Sequence, residues 1–392
     1  MSLPKLLFYT HGLIDGGAER LWSCLASAFK ARGYDVKFAV DFESQDNAHN
    51  LDPAIPVTVL GRNHALATQR LAKLLRHERP DVALSAVGGS NLKLMTDLGL
   101  AQVATRPIIT FHGSVEPSSG LLAYLSYKSL PLLSRRAGQT VAVSKGLGAE
   151  LVSKWHADPA RTSVILNPVY FPDNAPVPSR AALAARPDII LAAGRLSPEK
   201  DFTTLLRAFA LLNRPGARLV LLGKGSDRQK LESEVQRLGL ADAVSMPGYC
   251  AEPWLHYQRA KCLVSSSKSE LFGNTLVEAM AFGLPVVATA CAGPKEIIRD
   301  AAHGQLVPIG DAGALAAAMA AALDDPGEPQ VRRARAEEFS LAARVPAYEA
   351  LISAVLAGQG PQQGRLNQVL QDSAMSCAAL GGNHEFDILG CL

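Results

Sequence analysis

The sequence predicts an α/β protein in which two domains, each built on a parallel sheet, face a central cleft. Apolar runs rich in β-branched residues alternate with helical patterns along most of the chain, which is typical of parallel sheets with helices on both faces. A proline-rich, aperiodic stretch interrupts this alternation at residues 171–186, after which it restarts. The 392 residues, 48% of them hydrophobic, suffice for two separate cores.

The first predicted domain covers residues 1–170. Its helices include Glu19–Arg32 and Arg70–Glu78, where apolar positions recur at helical spacing. Its strands are short apolar runs of the kind that is buried on both faces of a parallel sheet. They are predicted at Leu6–Tyr9, Val36–Val40, Val57–Leu60, Val82–Ala86, Ile108–Phe111, Thr140–Val143 and Ser163–Leu166.

The second predicted domain covers residues 187–340. A helix at residues 341–357 follows it, and residues 358–392 lose all periodicity, so we predict a tail of unknown role there. Strands of the second domain are predicted at Ile189–Ala193, Arg218–Leu222, Val244–Met246, Cys262–Ser265, Pro285–Ala288 and Gln305–Val307.

Composition excludes several classes of protein. A net charge of +3 is too small to indicate a nucleic-acid partner. No run of 18 apolar residues occurs, and the first residues have the pattern of a strand rather than of a signal peptide, so we expect a cytoplasmic protein. The six cysteines show neither CxxC spacing nor nearby histidine pairs. We therefore predict reduced, buried thiols and no zinc site.

The most informative stretch lies between the fourth and fifth predicted strands of the second domain. Glu270 follows a strand that ends in serines, and a helix is predicted to begin near Asn274 and to carry Glu278. On one continuous helix, two residues eight positions apart point in directions that differ by about 80°, so Glu270 and Glu278 would not share a face. Their carboxylates can converge only if Glu270 lies in the loop above the helix start. Free N–H groups at residues 273–276 suit a phosphate, and carboxylates suit hydroxyl groups. A nucleotide sugar carries both.

Other predicted strand ends carry groups that suit the same ligand. Gly194 frees the backbone after the first strand of the second domain. Arg195 and Lys200 follow, and two cations at this edge can neutralise a departing diphosphate. In the first domain, Gly16 and Gly17 let the backbone approach a ligand closely just before a helix.

The spacing of Glu270, Glu278 and Gly283 resembles the signature of the retaining glycosyltransferases of family 4, the glycosyl transferases group 1. Members of that family have the GT-B fold, in which two Rossmann-like domains enclose the cleft. The resemblance extends over about residues 5–357. The family usually has glycine after the first glutamate, where this chain has Leu271.

The resemblance implies a role for each of these groups. Glu270 would lie beside the transferred sugar, and Glu278 would hold the ribose hydroxyls of the nucleotide. Arg195 and Lys200 would bind the donor phosphates. His112, at the end of a strand of the first domain, would lie beside the reacting sugar. The last helix would cross back to the first domain.

The complete predicted site contains no metal ligands. Its predicted catalytic residues are His112, Arg195, Lys200 and Glu270. By the resemblance, the turns that contain Gly223 and Gly248 lie near the nucleotide and its base. The predicted donor-binding residues are Gly16, Gly17, Gly194, Arg195, Lys200, Gly223, Gly248, Glu270, Phe272, Gly273, Asn274, Thr275, Leu276 and Glu278.

The activity that the resemblance implies is transfer of a hexose or N-acetylhexosamine, with retention, from a UDP- or GDP-linked donor. The acceptor would be a glycan or a lipid-linked glycan in lipopolysaccharide or other cell-surface polysaccharide biosynthesis, and no metal cofactor is expected. Two other interpretations stay open: a nucleotide-sugar epimerase of the same fold, and a non-catalytic nucleotide-sugar-binding protein. A dinucleotide oxidoreductase is disfavoured because its GxGxxG fingerprint is absent.

Two segments of the first domain combine apolar and basic residues. One is the predicted helix Arg70–Glu78 with the residues around it, and the other is residues 119–136. Both patterns fit a peripheral contact with the inner face of an anionic membrane. Both also fit ordinary packing of leucines against a core, and the sequence leaves the choice open.

Overall fold

The computed structural model describes residues 3–14, 16–44, 46–114 and 120–358. Within these ranges the chain forms two parallel α/β sheets, of seven and six strands, so the predicted fold class is confirmed. The predicted tail lies outside the described residues except for its first residue, Gly358.

The first sheet has the strand order β3-β2-β1-β4-β5-β6-β7, and every neighbouring pair is parallel. All seven strands predicted for this half of the chain are present. The first strand is longer than predicted, because its pairing with β2 continues through Gly12. The strands are β1 Lys5–Gly12, β2 Asp35–Phe42, β3 Val57–Val59, β4 Val82–Ala86, β5 Arg106–Phe111, β6 Gln139–Ala142 and β7 Thr162–Val164.

Helices cover both faces of this sheet. The predicted helix at Arg70 begins earlier, at His64, because the Asn63 side chain accepts a hydrogen bond from the Leu66 N–H at 3.1 Å and caps it. The helices are α1 Gly17–Ala31, α2 His64–Glu78, α3 Gly88–Ala101, α4 Leu121–Lys128, α5 Leu130–Arg136 and α6 Lys145–Ser153.

The second sheet has the order β10-β9-β8-β11-β12-β13 and is also parallel. Its strands are β8 Ile189–Ala193, β9 Arg218–Leu222, β10 Val244–Gly248, β11 Cys262–Ser265, β12 Val286–Thr289 and β13 Gln305–Val307. Its helices are α7 Arg180–Ala184, α8 Phe202–Leu212, α9 Arg228–Arg237, α10 Trp254–Arg259, α11 Asn274–Ala281, α12 Ala292–Ile297, α13 Ala312–Asp324 and α14 Pro329–Glu337.

The last described helix, α15 Leu341–Leu356, returns to the first sheet although it follows the second. Its side chains Val345, Tyr348 and Ile352 are buried in the same cluster as Phe8 of β1. The helix therefore completes the first core and ties the two halves of the chain together.

Both sheets direct the carboxyl ends of their strands toward one cleft. Residues that follow β5 and β8, His112 and Gly194, line it from opposite sides. Ligands of open parallel sheets bind at this edge, because the connecting loops and helix N-termini converge there.

Candidate active site

The cleft between the two sheets has a volume of about 1110 Å³ and is lined by both domains. The first domain contributes the loop before α1 and the end of β5. The second contributes the ends of β8 and β9 and the segment from Lys268 to Glu278. Most of the polar groups predicted from separate parts of the sequence thus lie along one surface.

Glu270 and Lys200 form an ion pair on the floor of the cleft, where both side chains are largely shielded from solvent. Glu270 lies in the loop between β11 and α11, and Lys200 lies in the turn between β8 and α8. The predicted sugar-facing carboxylate and the predicted phosphate-facing ammonium group are therefore directly joined. Arg195 lines the cleft nearby and is exposed.

Glu278 is buried on α11 and has partners from both domains. Its carboxylate accepts a hydrogen bond from the Tyr257 hydroxyl at 2.6 Å and one from the Arg20 guanidinium of α1 at 3.3 Å. Burial raises the pKa of Glu278, and the charge of Arg20 and the hydrogen bond of Tyr257 oppose that rise. Arg20 also stacks on the Trp254 ring, 4.9 Å from its centre.

The N-terminus of α11 opens into the cleft, as the sequence predicts. Gly273 precedes it in the left-handed region, with φ of 110°, and Phe272, Asn274 and Thr275 line the cleft beside it. The first N–H groups of a helix have no partner within the helix, so this end can bind an anion. Across the cleft, the Asn167 side-chain amide donates to Asn274 Oδ1 at 2.8 Å.

Two glycine contacts determine how closely the loops approach one another. Gly223 has φ of 142°, and a Cβ there would lie 1.9 Å from the Gly194 carbonyl oxygen. A Cβ on Gly17 would lie 3.2 Å from the side-chain nitrogen of Asn274 in the other domain. Larger residues at these positions would push the strand ends, or the two domains, apart.

His112 follows β5 and faces the cleft from the first domain. Its Nε2 lies 3.0 Å from the Thr110 hydroxyl, and its ring packs edge-on against Trp22 with centres 5.8 Å apart. Burial lowers the pKa of His112 to about 4, so the imidazole is neutral at pH 7. A neutral His112 therefore adds no charge to the cleft.

Two predicted donor-binding residues do not line the cleft. Leu276 is fully buried in the core of the second domain, and its N–H donates to the Gly273 carbonyl at 3.0 Å. Gly248 ends β10, where its carbonyl accepts a hydrogen bond from the Gly223 N–H at 2.8 Å, and Tyr249 lines the cleft in its place. The Leu276 N–H and the Gly248 carbonyl are therefore hydrogen-bonded to other backbone groups.

Three residues near Glu278 were not predicted from the sequence: Arg20 and Tyr257, which bind it, and Trp254, which contacts both of them. Arg20 belongs to the segment GGAER that contains Gly16 and Gly17, so its motif was visible although its partner, 258 positions away, was not. Tyr257 and Trp254 lie on the short helix α10, and their sequence pattern carries no comparable signal.

Two protein-family models match the chain. The model of "Glycosyl transferases group 1" matches residues 178–339, and that of "Glycosyltransferase Family 4" matches residues 15–170. The chain belongs to the group 1 glycosyl transferases. Together the two models cover every strand of the two sheets except β1, and every charged residue of the cleft described above.

Named group 1 relatives match parts of the chain. A lipopolysaccharide core biosynthesis glycosyltransferase, LpsE of Rhizobium meliloti, is 36% identical over 33% of this chain and 38% of its own length. A D-inositol 3-phosphate glycosyltransferase of Kineococcus radiotolerans is 34% identical over 51% of this chain and 52% of its own length. The chain thus spans about half, or less, of the length of these relatives.

A solved structure has the same fold over nearly the whole chain. HepE of Anabaena, crystallised with UDP and glucose, superposes with a TM-score of 0.70, covering 95% of this chain and 100% of its own at 20% identity. Among the described residues, no helix is both long and apolar enough to cross a membrane. Nor do three or more acidic, histidine or cysteine side chains gather there in a group that could bind a metal ion.

Proposed function

We propose that this protein is a retaining glycosyltransferase that transfers a hexose or N-acetylhexosamine from a nucleoside diphosphate sugar to a glycan or lipid-linked glycan. One observation carries the proposal. The N-terminus of α11, the cations Arg195 and Lys200, and the carboxylates Glu270 and Glu278 line a single cleft. Such a site matches a ligand with a diphosphate at its centre and hydroxyl groups on both sides.

The donor is proposed to lie along the second domain. Its ribose hydroxyls would bind Glu278, its diphosphate would lie between the α11 amides and the two cations, and its sugar would reach Glu270. HepE was crystallised with UDP and glucose, which supports UDP as the first nucleotide to test and GDP as the second.

The reaction is proposed to occur on one face of the sugar. The bond between the anomeric carbon and the diphosphate oxygen breaks, and the acceptor oxygen bonds to the same face of that carbon. The acceptor proton passes to the departing phosphate oxygen. Arg195, Lys200 and the α11 amides stabilise the charge that develops on the diphosphate, which favours the transition state.

The acceptor is proposed to belong to cell-surface polysaccharide biosynthesis. The relative LpsE is named for lipopolysaccharide core biosynthesis, which supports this class of acceptor. Such acceptors are carried by lipids or built at membranes, so a peripheral membrane contact belongs to the proposal.

Helices α4 and α5 are the proposed membrane contact. Leu121, Leu125 and Leu132 are exposed there, and the basic residues Lys128 and Arg135 lie among them. By contrast, α2 buries Leu71 and Leu75 in the core, so these two leucines serve packing. Exposed leucines flanked by cations fit an anionic lipid surface.

A binding and turnover experiment tests the proposal. Thermal stability is measured with UDP, GDP and their sugars, each with and without EDTA, and turnover is followed by release of the nucleoside diphosphate and by the anomeric configuration of the product. Stabilisation in EDTA together with retained transfer would support the proposal. An epimerised donor, an inverted product or binding with no turnover would each contradict it.

A further inference from the structure

A second polar cluster lies outside the donor site, between the first sheet and α3. Asp41 of β2 is fully buried, and its carboxylate accepts hydrogen bonds from the Tyr9 hydroxyl at 2.8 Å and the Lys93 ammonium group at 2.5 Å. Its third partner is His11 Nδ1 at 2.7 Å. Burial opposes ionisation of Asp41, but the bonds from His11 and Lys93 hold its pKa below the usual value.

This buried network costs desolvation energy that an apolar core would avoid. Asp97, one turn beyond Lys93 on α3, is fully buried and neither carboxyl oxygen has a hydrogen-bond partner among the described residues. Burial raises the pKa of Asp97 to about 8. A buried polar cluster of this kind calls for an explanation beyond packing.

The network holds one exposed group in a fixed position. The His11 side chain is 45% exposed, whereas that of Asp41 is 2% exposed. Because Nδ1 is bonded to Asp41, Nε2 is the ring nitrogen that remains for a ligand. His11 precedes the end of β1, at the same sheet edge as the cleft.

Two further basic side chains, His64 and Arg62, lie beside the pair of rings formed by His11 and Phe42. The His64 ring is stacked 6.4 Å from that of His11, and the Phe42 ring meets His11 edge-on at 4.8 Å. The Arg62 guanidinium lies over the Phe42 ring, 4.9 Å from its centre. Arg70 donates to the Leu60 carbonyl at 2.8 Å and fixes the turn that carries Arg62.

The basic side chains beside His11 lack acidic partners among the described residues. In the part of the chain that the structure describes, no ion pair joins Arg62 or His64 to a carboxylate. Asp41 is already neutralised by Lys93. The loop after β2 also contacts the second domain, because its Asp46 carboxylate lies 3.7 Å from the Lys224 ammonium group. This edge of the first sheet therefore reaches the mouth of the cleft.

We propose that His11, Arg62 and His64 form a second anion-binding site, which holds a phosphate or diphosphate group of the acceptor. The proposal rests on the proposed transferase function and adds the chemical class of the acceptor. Two imidazoles and a planar guanidinium offer several N–H donors to phosphate oxygens, and Asp41 keeps His11 oriented toward them.

Calorimetric titration of inorganic phosphate into protein saturated with UDP tests this site, because UDP occupies the donor phosphate position. We expect the wild type to bind phosphate, and the double variant Arg62→Ala/His64→Ala to bind it about tenfold or more weakly. Lys73→Ala, which removes an exposed cation from the same helix α2, is the matched control and should change the affinity by less than about twofold. Arg62→Lys should bind with intermediate affinity.

Two competitors identify the source of the anion. A sugar phosphate represents a phosphorylated glycan, and a short, water-soluble prenyl diphosphate represents a lipid carrier; displacement of phosphate by either supports the site and shows which acceptor it serves. Absence of phosphate binding in UDP-saturated wild type, or equal loss in Lys73→Ala, would overturn it. Failure of UDP itself to bind would instead count against the proposed function.

Discussion

At the scale of single residues, the charged groups of the cleft occur in pairs that bring together distant parts of the sequence. Lys200 is paired with Glu270, and Arg20 with Glu278. Each carboxylate therefore acts together with a cation, and a substitution at one position changes the electrostatics of the other. The two carboxylates nevertheless differ, since Glu278 is buried beside Tyr257 and Glu270 lies in a loop.

We predict different kinetic effects for the two carboxylates. Glu278→Ala removes the proposed partner of the ribose hydroxyls, and should raise the dissociation constant of UDP by about 10- to 100-fold. Glu270→Ala should lower kcat by about 100-fold while the UDP dissociation constant changes by less than about threefold. Calorimetry and initial-rate measurements give the two quantities separately.

The exposed residue Glu232 on α9 offers a control for these variants, because Glu232→Ala removes the same charge far from the cleft. An equal loss of UDP affinity in Glu270→Ala and Glu278→Ala would contradict the proposed division of roles.

A second residue-scale prediction concerns Arg20 and pH. Burial raises the pKa of Glu278 and Arg20 opposes this, so Arg20→Met should raise that pKa further. A protonated Glu278 binds ribose hydroxyls less well, and the loss of UDP affinity in Arg20→Met should therefore be larger at pH 6 than at pH 8. Binding constants measured at both values test the sign.

Arg32→Met is the control for Arg20→Met. Arg32 follows the other end of α1 and pairs with Glu349 at 2.6 Å, so its removal should leave UDP affinity unchanged at both pH values. A loss of affinity in Arg20→Met that does not depend on pH would indicate that Arg20 acts without changing the ionisation of Glu278.

At the scale of elements, helices of similar composition serve different purposes according to which side chains they bury. Helix α2 is basic with several leucines, and it packs Leu71 and Leu75 into the core. Helix α4 leaves Leu121 71% exposed, together with Leu125. Helix α4 thus offers two exposed leucines to a partner, whereas α2 leaves Leu66 42% exposed.

We predict that Leu121→Ser/Leu125→Ser lowers binding to anionic vesicles by about tenfold or more, because two exposed apolar side chains no longer enter the lipid. Co-sedimentation with phosphatidylglycerol vesicles measures this. Leu211→Ser/Leu255→Ser removes two leucines of the second domain that are each 62% exposed, and should leave binding unchanged. Equal losses in both double variants, or wild-type protein that stays in the supernatant, would refute the assignment of α4.

At the scale of the whole molecule, the last described helix joins the two halves of the chain. Tyr348 of α15 is fully buried among side chains of the first sheet, although α15 follows the second sheet in sequence. The position of the first domain is thus coupled to the end of the chain, and further contacts join the two domains. They include Arg20 to Glu278, Asn167 to Asn274, Gly146 to Glu296, and Lys224 to Asp46.

We predict that Tyr348→Ala lowers the free energy of unfolding of the first domain by about 3 kcal/mol, because it leaves a large cavity in that core. Calorimetry should show a lower melting temperature for the first domain, while UDP still raises that of the second. Leu356→Ala truncates a side chain of the same helix that is 39% exposed, and should have little effect. Equal destabilisation by both substitutions would argue against a specific role for the buried tyrosine.

Much of this organisation follows from local patterns in the sequence. All thirteen strands of the two sheets lie where short apolar runs predict them. Glu270 in its loop and the start of α11 at Asn274 are also as predicted, because strand ends and helix starts depend on residues close in sequence.

The sequence by itself determined the α/β class, the two sheets and the family signature of the cleft. Tertiary structure alone decided which groups meet: Arg20 with Glu278, His11 with Asp41, and Asn167 with Asn274. The physical reason is that periodicity and capping act over a few residues. Ion pairs, burial and exposure depend on distances between segments that only the folded chain brings together.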